Sequence, residues 1–328
     1  MKAVLISQFG PPEVLKIGEI PDLSITHPEG VIIRVKAAGL NNADLLQRMG
    51  RYPPPVGASE ILGMEVAGEI LKTGSGVNEF RHGDRVMALL PGGGYAEQAK
   101  ILEAQLMPIP RRLSFEEAAA IPEAFLTSFL ELIELAKIKK NENILIHAGA
   151  SGVGTAAIQI ARCIGTRIFA TASSEEKLEV CKELGAEVLI NYRKNDFVEK
   201  VLEATNQKGV DCILDLVGAV HFHRNIEALS LGGRLLLVGL SGGAVVEKMD
   251  LHKILSKRIQ IIGSTLRARS DSEKTALVRK FCEFALPLFE SGQLKPIVDR
   301  VFEFSHVVEA HRYLESRQNK GKVILRIP

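Results

Sequence analysis

From Asn143 onward the chain repeats one pattern. Six short apolar runs, at 143–148, 167–172, 187–191, 212–217, 234–239 and 260–266, alternate with helix-like stretches such as VGTAAIQIARCIG and SEEKLEVCKELG. A continuous apolar strand needs cover on both faces, and an amphipathic helix after each strand supplies it. The pattern therefore predicts a parallel sheet with helices on both sides. Six such strands suit the doubly wound, dinucleotide-binding Rossmann arrangement. Within the second helical stretch, Ser173 and Glu176 have the spacing of a capping box, and Gly185 suits the helix C-terminus.

The first of these strands runs into HAGASGVG, residues 147–154. Gly149, Ser151 and Gly154 align with the fingerprint G-x-G-x-x-G. The first glycine permits the tight turn and the last lets helix and strand pack closely. The middle position must let the backbone approach a pyrophosphate, and serine is small enough to stand there. Its hydroxyl is also a donor for a phosphate oxygen, and the free N–H groups of the following helix complete an anion site. An NAD site usually presents an acid about 20 residues further on, at the end of the second strand, for the ribose 2′-hydroxyl. Here that strand ends in RIFATASSEEK, with Ala172 in place of the acid, then Ser173, Ser174 and, one turn on, Lys177. Hydroxyls and a lysine suit a 2′-phosphate, so NADPH is the expected cofactor. Glu175 and Glu176 oppose that reading, although acids also collect at helix N-termini for their own reasons.

The flanks differ in character. The first 120 or so residues hold short strand-like runs split by YPPPVGAS and LLPGGGYAEQ, which reads as a mostly β domain. Ser114 and Glu117 form a capping box. After residue 266 come a long helix (about 272–291), VDRVFEF, a helix (about 306–316) and a closing strand, KVILRI. These pieces are expected to return to the first domain, giving a domain of 1–124 with 267–328 and a nucleotide domain of 125–266. Of the 328 residues, 41 are Lys or Arg and 39 Asp or Glu, so no strongly basic face is implied and nucleic acid is not expected as a partner. Cys163, Cys181, Cys212 and Cys282 form no C-x-x-C pair and fit buried thiols in a reducing compartment. The opening MKAVLISQFG lacks the features of a signal peptide, and no run of about 20 apolar residues suggests a membrane span. A cytoplasmic protein with no membrane partner is expected.

GMEVAGEILKTGSGV, residues 63–77, resembles the G-H-E-x-x-G-x(5)-G-x-x-V signature of the medium-chain dehydrogenase/reductase superfamily, through Gly63, Glu65, Gly68, Gly74 and Val77. Met64 stands where zinc-dependent members carry a histidine ligand, and Asn41 or Asn42 where they carry a cysteine. The cysteine-rich loop of a structural zinc is absent. Methionine and amide are poor zinc ligands, so the resemblance is to a zinc-free member. AAGLNNADLLQRMGRYPPP, AAAIPEAFLTSF, NILIHAGASGVGTAAIQIAR, TASSEEKLE and LGAEVLINYR resemble the NADPH:quinone oxidoreductases, the zeta-crystallin-like branch, over nearly the full length. MALLPGGG and IPEAFLTSF are closest to its tumour-suppressor-inducible quinone oxidoreductase-like group. One departure is Ser151–Gly152, where much of the branch has two glycines.

The resemblance implies a GroES-like catalytic domain beside the Rossmann domain, NADPH, a quinone acceptor and a homodimer. It also implies residue roles. Thr127 would touch the nicotinamide, and Gly152, Val153 and Gly154 would hold the pyrophosphate. Ser173, Lys177 and Tyr192 would line the 2′-phosphate site. Gly239, Leu240 and Ser241, with Ser264, Thr265 and Leu266, would approach the nicotinamide ribose and amide, and Arg317 would join the cofactor site. Asn41 and Tyr52 would border the acceptor, offering an amide and a phenol to developing negative charge; simple packing beside the Pro-rich loop is the competing role for Tyr52. The alternatives the resemblance leaves are reduction of an enone or alkenal double bond, and a structural or RNA-binding protein. Other motifs carry less. Residues 239–243 match the G-x-S-x-G of hydrolases, but this element is expected to turn back at the end of a strand. HFH at 221–223 lacks a third metal ligand and more simply opens a helix. His82 and His147 read as structural.

Overall fold

The computed structural model describes all residues from 1 to 328. The chain begins with strands β1 (Lys2–Ile6), β2 (Leu15–Glu19) and β3 (Gly30–Gly39), helix α1 (Asn42–Arg48), then β4 (Glu65–Thr73), β5 (Arg85–Leu89), β6 (Gln98–Leu102) and β7 (Leu106–Pro108). Two short helices follow, α2 (Phe115–Ala118) and α3 (Pro122–Phe129), the latter continuing into a π-helical turn at Leu130–Leu135. Next come β8 (Asn143–Ile146), α4 (Gly152–Ile164), β9 (Arg167–Ala172), α5 (Glu175–Leu184), β10 (Val188–Asn191), α6 (Phe197–Ala204), β11 (Val210–Asp215), α7 (Ala219–Ala228), β12 (Leu229–Leu237), α8 (Leu251–Ser256) and β13 (Gln260–Gly263). The chain closes with α9 (Asp271–Ser291), β14 (Val298–Glu303), α10 (Val307–Glu315) and β15 (Lys322–Arg326). It divides into two compact units, Met1–Leu126 with Leu266–Pro328, and Thr127–Thr265.

The first unit is built on a mixed sheet of order β14-β15-β3-β4-β5-β7, with β6 also pairing β3. Its long strand β3 pairs antiparallel with β4, β6 and β15. The core joins early residues such as Ile33, Val66 and Val86 to late ones such as Val307, Leu314 and Val323. The C-terminal segment is therefore part of this core rather than an appendage. Ser114 and Glu117 form the expected capping box at α2.

The second unit is the parallel sheet that strand–helix alternation predicts, of order β10-β9-β8-β11-β12-β13. Every pairing is parallel. The order reverses between β8 and β11, so the loop after β8 stands at the topological switch point where such sheets bind ligands. Leu145, Phe169, Phe197, Ile213, Phe222 and Leu235 make its core. Strand β12 starts earlier than its apolar run suggests, at Leu229, and β13 stops at Gly263, where Ser264 N–H bends back 3.4 Å from Leu237 O. The capping box expected from Ser173 and Glu176 does not form. Ser174 is the N-cap instead, its hydroxyl accepting from Lys177 N–H, because β9 runs through Ala172 and the helix starts one residue later. All four cysteines are free thiols. No helix is long and apolar enough to cross a membrane.

Candidate functional site

The loop 147–154 is shaped by contacts that few residues satisfy. Gly149 N–H donates to Thr171 O at 2.9 Å and Ser151 N–H to Ala148 O at 2.9 Å. A Cβ on Gly149 would stand 2.9 Å from Cys181 Sγ, and one on Gly154 would stand 2.4 Å from Ala148 O. Both fingerprint glycines are thus required by close approach. Ser151, at the middle position, is the N-cap of α4, its Oγ accepting from Gly154 N–H at 3.0 Å. That bond satisfies one orphan donor of the helix start. The N–H groups of Gly152 and Val153, at its first two positions, have no intrahelical acceptor and make no other bond. A 13-residue helix whose first turn presents two unpartnered N–H groups is an anion cradle, and a dinucleotide pyrophosphate fits it. The serine hydroxyl keeps its proton free to donate. Ser128 Oγ donates to Val153 O at 3.1 Å and steadies the turn.

At the end of β9 the pairing Asn191↔Ala172 and the bond from Tyr192 N–H to Ala172 O at 3.2 Å bring Ala172, Ser173 and Tyr192 together at the start of α5, which carries Lys177. Ser173 is left outside the helix cap. The acids that oppose a phosphate are partly neutralised. Glu175 pairs with Lys194 Nζ at 2.8 Å and accepts from Asn191 Nδ2 at 2.9 Å, and these bonds hold its carboxyl below the usual range. No local pattern signals Lys194, which lies on a turn beyond β10.

The loops after β11 and β12 fold against each other. A Cβ on Gly239 would stand 2.5 Å from Leu216 O, and Ser241 Oγ donates to Leu216 O at 3.3 Å. Leu240 is exposed. No helix follows directly and no histidine meets Ser241, so the hydrolase elbow is absent. Ser264 Oγ donates to buried Glu131. Thr127 is buried at the start of this unit and Thr265 ends it, whereas Leu266 and Arg317 belong to the first unit. Arg317 is exposed on a turn in the left-handed region.

Three histidines of this unit bond or pack within it. His147 is fully buried, with Nδ1 3.0 Å from Thr171 Oγ1 and Nε2 2.8 Å from Asn225 Oδ1. Burial pushes its pKa down to about 4. His221 and His223 sit in α7, His221 stacked at 4.7 Å on His147 and His223 bound to Glu247 O. His82 is a surface residue of the first unit.

The first unit holds a set of buried charges that sequence analysis did not find. Glu65 is fully buried and ion-paired to Lys322, itself 5% exposed. Lys322 Nζ also donates to Leu40 O at 2.9 Å and Asn41 Oδ1 at 2.7 Å, while Asn41 Nδ2 donates to Glu65 Oε1 at 2.9 Å. The Asn41 amide is thereby engaged at both ends, with only a long 3.5 Å contact, to Gly39 O, besides these. Glu65 Oε2 accepts from Glu123 N–H at 2.8 Å. Buried Asp44 accepts from Gly63 N–H and Tyr95 Oη, each at 3.1 Å, and burial raises its pKa to about 6. Met64 is buried in the core. No group of three or more His, Cys, Asp or Glu side chains is arranged to hold a metal ion. Tyr52 is half-buried, its phenol pKa raised by burial, and the Arg267 guanidinium stands 5.2 Å over its ring.

Comparison with known proteins matches two stretches of the chain to two family models. Residues 27–111 match the family model described as an alcohol dehydrogenase GroES-like domain, and residues 152–281 match that of a zinc-binding dehydrogenase. A human quinone oxidoreductase is 33% identical, the alignment covering 99% of this chain and 97% of the relative. The structure of Escherichia coli quinone oxidoreductase complexed with NADPH superposes with a TM-score of 0.90 at 30% identity, covering both chains completely. CurK enoyl reductase superposes with a TM-score of 0.89 at 29% identity, covering 100% of this chain and 99% of the other.

Proposed function

The chain belongs to the medium-chain dehydrogenase/reductase family, and from that premise we propose that it is an NADPH-dependent quinone oxidoreductase that works without zinc. The observation that carries the reading is the C-terminal end of β9, where Ala172 and Ser173 replace an acid and Tyr192 and Lys177 stand close by. A carboxylate there would repel a 2′-phosphate; this arrangement admits one. In the proposed assignment Gly149, Ser151, Gly152, Val153 and Gly154 hold the pyrophosphate. Thr127, Gly239, Leu240, Ser241, Ser264, Thr265, Leu266 and Arg317 complete the cofactor contacts.

NADPH, when bound, supplies a hydride from its dihydronicotinamide ring. The protein's own task is to orient the acceptor, exclude water and answer the charge that develops on the acceptor oxygen. A quinone asks little beyond this, since its reduced oxygen is a phenolate with a pKa near ~10, like that of tyrosine. Tyr52 offers a hydroxyl that stays protonated at neutral pH. The residual N–H of Asn41 is a second donor, oriented by Glu65 and Lys322. Lys322 supports the zinc-free reading: its ammonium accompanies Asn41 at a place where zinc-dependent relatives carry a ligand.

An enone or alkenal is the second acceptor class, favoured by the similarity to CurK enoyl reductase. The hydride step is shared, but the product then needs a proton. We further propose a cytoplasmic homodimer paired along β13, whose Ile261 and the neighbouring Leu255 are exposed. Steady-state rates with NADPH and NADH against ortho-quinones, para-quinones and enones, with and without a zinc chelator, test the reading. NADPH with a quinone should be the best pair, unaffected by the chelator. Loss of activity on chelation, or turnover with enones alone, would contradict it.

A further inference from the structure

We propose that Glu123 and Arg267 are catalytic residues: Arg267 binds the acceptor oxygen on which negative charge develops, and the carboxylic acid of Glu123 supplies the proton that completes the reduction. This rests on the reading of the chain as a hydride-transferring reductase.

Three buried polar atoms of the first unit lack any partner: His311 Nε2, on an imidazole that burial keeps neutral, and Arg267 Nη1 and Glu123 Oε2, which lie within electrostatic reach of each other among tightly bonded side chains. Arg267 is 4% exposed. Its Nε donates to Pro91 O at 2.8 Å, its Nη2 donates to Gln47 Oε1 at 2.7 Å, and its guanidinium carbon stands 5.2 Å from the centre of the Tyr52 ring. Two nitrogens are thus anchored and the third is aimed at nothing. A buried guanidinium N–H left unmade is costly, which is the mark of a donor kept for a ligand.

Glu123 is the complementary case. Its neighbour Glu65 takes every local donor: Lys322 and Asn41 on one oxygen, the Glu123 backbone N–H on the other. The groups that act on the Glu123 carboxyl are Glu65 and Asp44, which repel a negative charge, and Lys322 and Arg267, which attract one; Lys274 and Tyr52 lie within the same electrostatic reach. Two carboxyls in a buried site served by one bonded ammonium do not both ionise, and Glu65 already holds that ammonium. Glu123 therefore keeps its proton. Burial first and Glu65 second raise its pKa to about 8.

The chemistry balances with these two groups. The acceptor takes a hydride from the dihydronicotinamide at one atom of its conjugated system, and the displaced electron pair comes to rest on its oxygen. Arg267 Nη1–H donates to that oxyanion. The Glu123 O–H bond breaks and a new O–H forms on the acceptor, giving the hydroquinone from a quinone or, from an enone, an enol that then tautomerises to the ketone by exchange of its O–H proton for one at the α carbon through water; Glu123 is left a carboxylate and regains a proton from water. An enolate is more basic than a phenolate, so an enone should depend on Glu123 more than a quinone does.

The test uses the full chain and two readouts. The first is binding of para-nitrophenol, whose anion absorbs in the visible and stands for the reduced acceptor, to the protein without cofactor. Wild type should bind the anion and lose affinity as pH rises through about 8, where Glu123 ionises and repels it. Glu123→Gln should bind with no such fall, and Arg267→Gln should bind at least tenfold more weakly, with partial recovery in Arg267→Lys. The second is kcat against pH with NADPH. Glu123→Gln should lower kcat at least tenfold for enones and less for quinones, and should abolish the decline above about pH 8. If Glu123→Gln keeps the wild-type pH dependence in both binding and kcat, the inference is overturned while quinone reduction still stands. If wild type reduces no acceptor, the functional reading fails, and the nitrophenol titration still decides whether these two residues form an oxyanion site.

Discussion

In the second unit, buried His147 bonds Thr171 and Asn225, Asn225 donates to Asp215 Oδ2, and Asp215 Oδ1 takes the N–H groups of Val217 and Gly218. Every polar atom in that chain finds a partner, and the chain ties the ends of β8, β9 and β11 together. In the first unit, a comparable set built on Glu65, Lys322 and Asn41 is as tightly bonded, yet its neighbours Glu123 and Arg267 each leave one buried atom unpaired. A buried network that closes on itself specifies structure. One that ends in unpaired donors and acids is arranged for something that arrives. In the proposed assignment the second unit would receive its ligand differently, through the unpartnered backbone N–H groups at the start of α4.

Removing a closing member should do the most damage. Lys322→Met leaves Glu65 buried beside no cation and should cost about 3–5 kcal/mol, the usual loss for half a buried ion pair; denaturant unfolding at pH 7 measures it. Glu123→Gln should act in the opposite direction. Its carboxyl pKa is near 8 in the folded chain against 4.5 ordinarily, so the folded state binds the proton more tightly. Stability from this group is full below pH 4.5, falls as pH rises toward 8 and is flat beyond. A neutral glutamine escapes that fall, so the variant should gain stability over wild type at pH 9, by up to about 5 kcal/mol at ~1.4 kcal/mol per pH unit over the shift from 4.5 to about 8, and show no gain at pH 4.5. Melting curves across that range check it. Asn225→Ala strands the buried Asp215 Oδ2 and His147 Nε2 and should cost about 2 kcal/mol. Its nucleotide affinity should change little, as measured by titration with NADPH, because the network is structural.

The contrast also explains what sequence reveals. Strand–helix alternation and the fingerprint Gly149–Ser151–Gly154 are local patterns, so the order of elements and the tight glycine-bearing turn into α4 are readable. The capping register slipped by one, from Ser173 to Ser174, because two adjacent serines offer the same chemistry and only the strand end chooses between them. Lys194, 19 residues from Glu175, is joined to it only by the parallel pairing of β9 and β10. The first unit's site was largely hidden. Lys322 and Asn41 are 281 residues apart, and Arg267 reaches Gln47 across 220. No periodicity records such pairs. Asn41 and Tyr52 were visible only through resemblance to a family.

The proposed activity is NADPH-dependent reduction of a quinone. Its most direct test is kcat/KM for NADPH and for NADH, each at saturating quinone, in wild type and in Ala172→Asp. Wild type should prefer NADPH by at least tenfold, and the added carboxylate should reverse the preference. Equal or better use of NADH by wild type, or indifference to the aspartate, would contradict the assignment of Ala172, Ser173 and Lys177 to a 2′-phosphate.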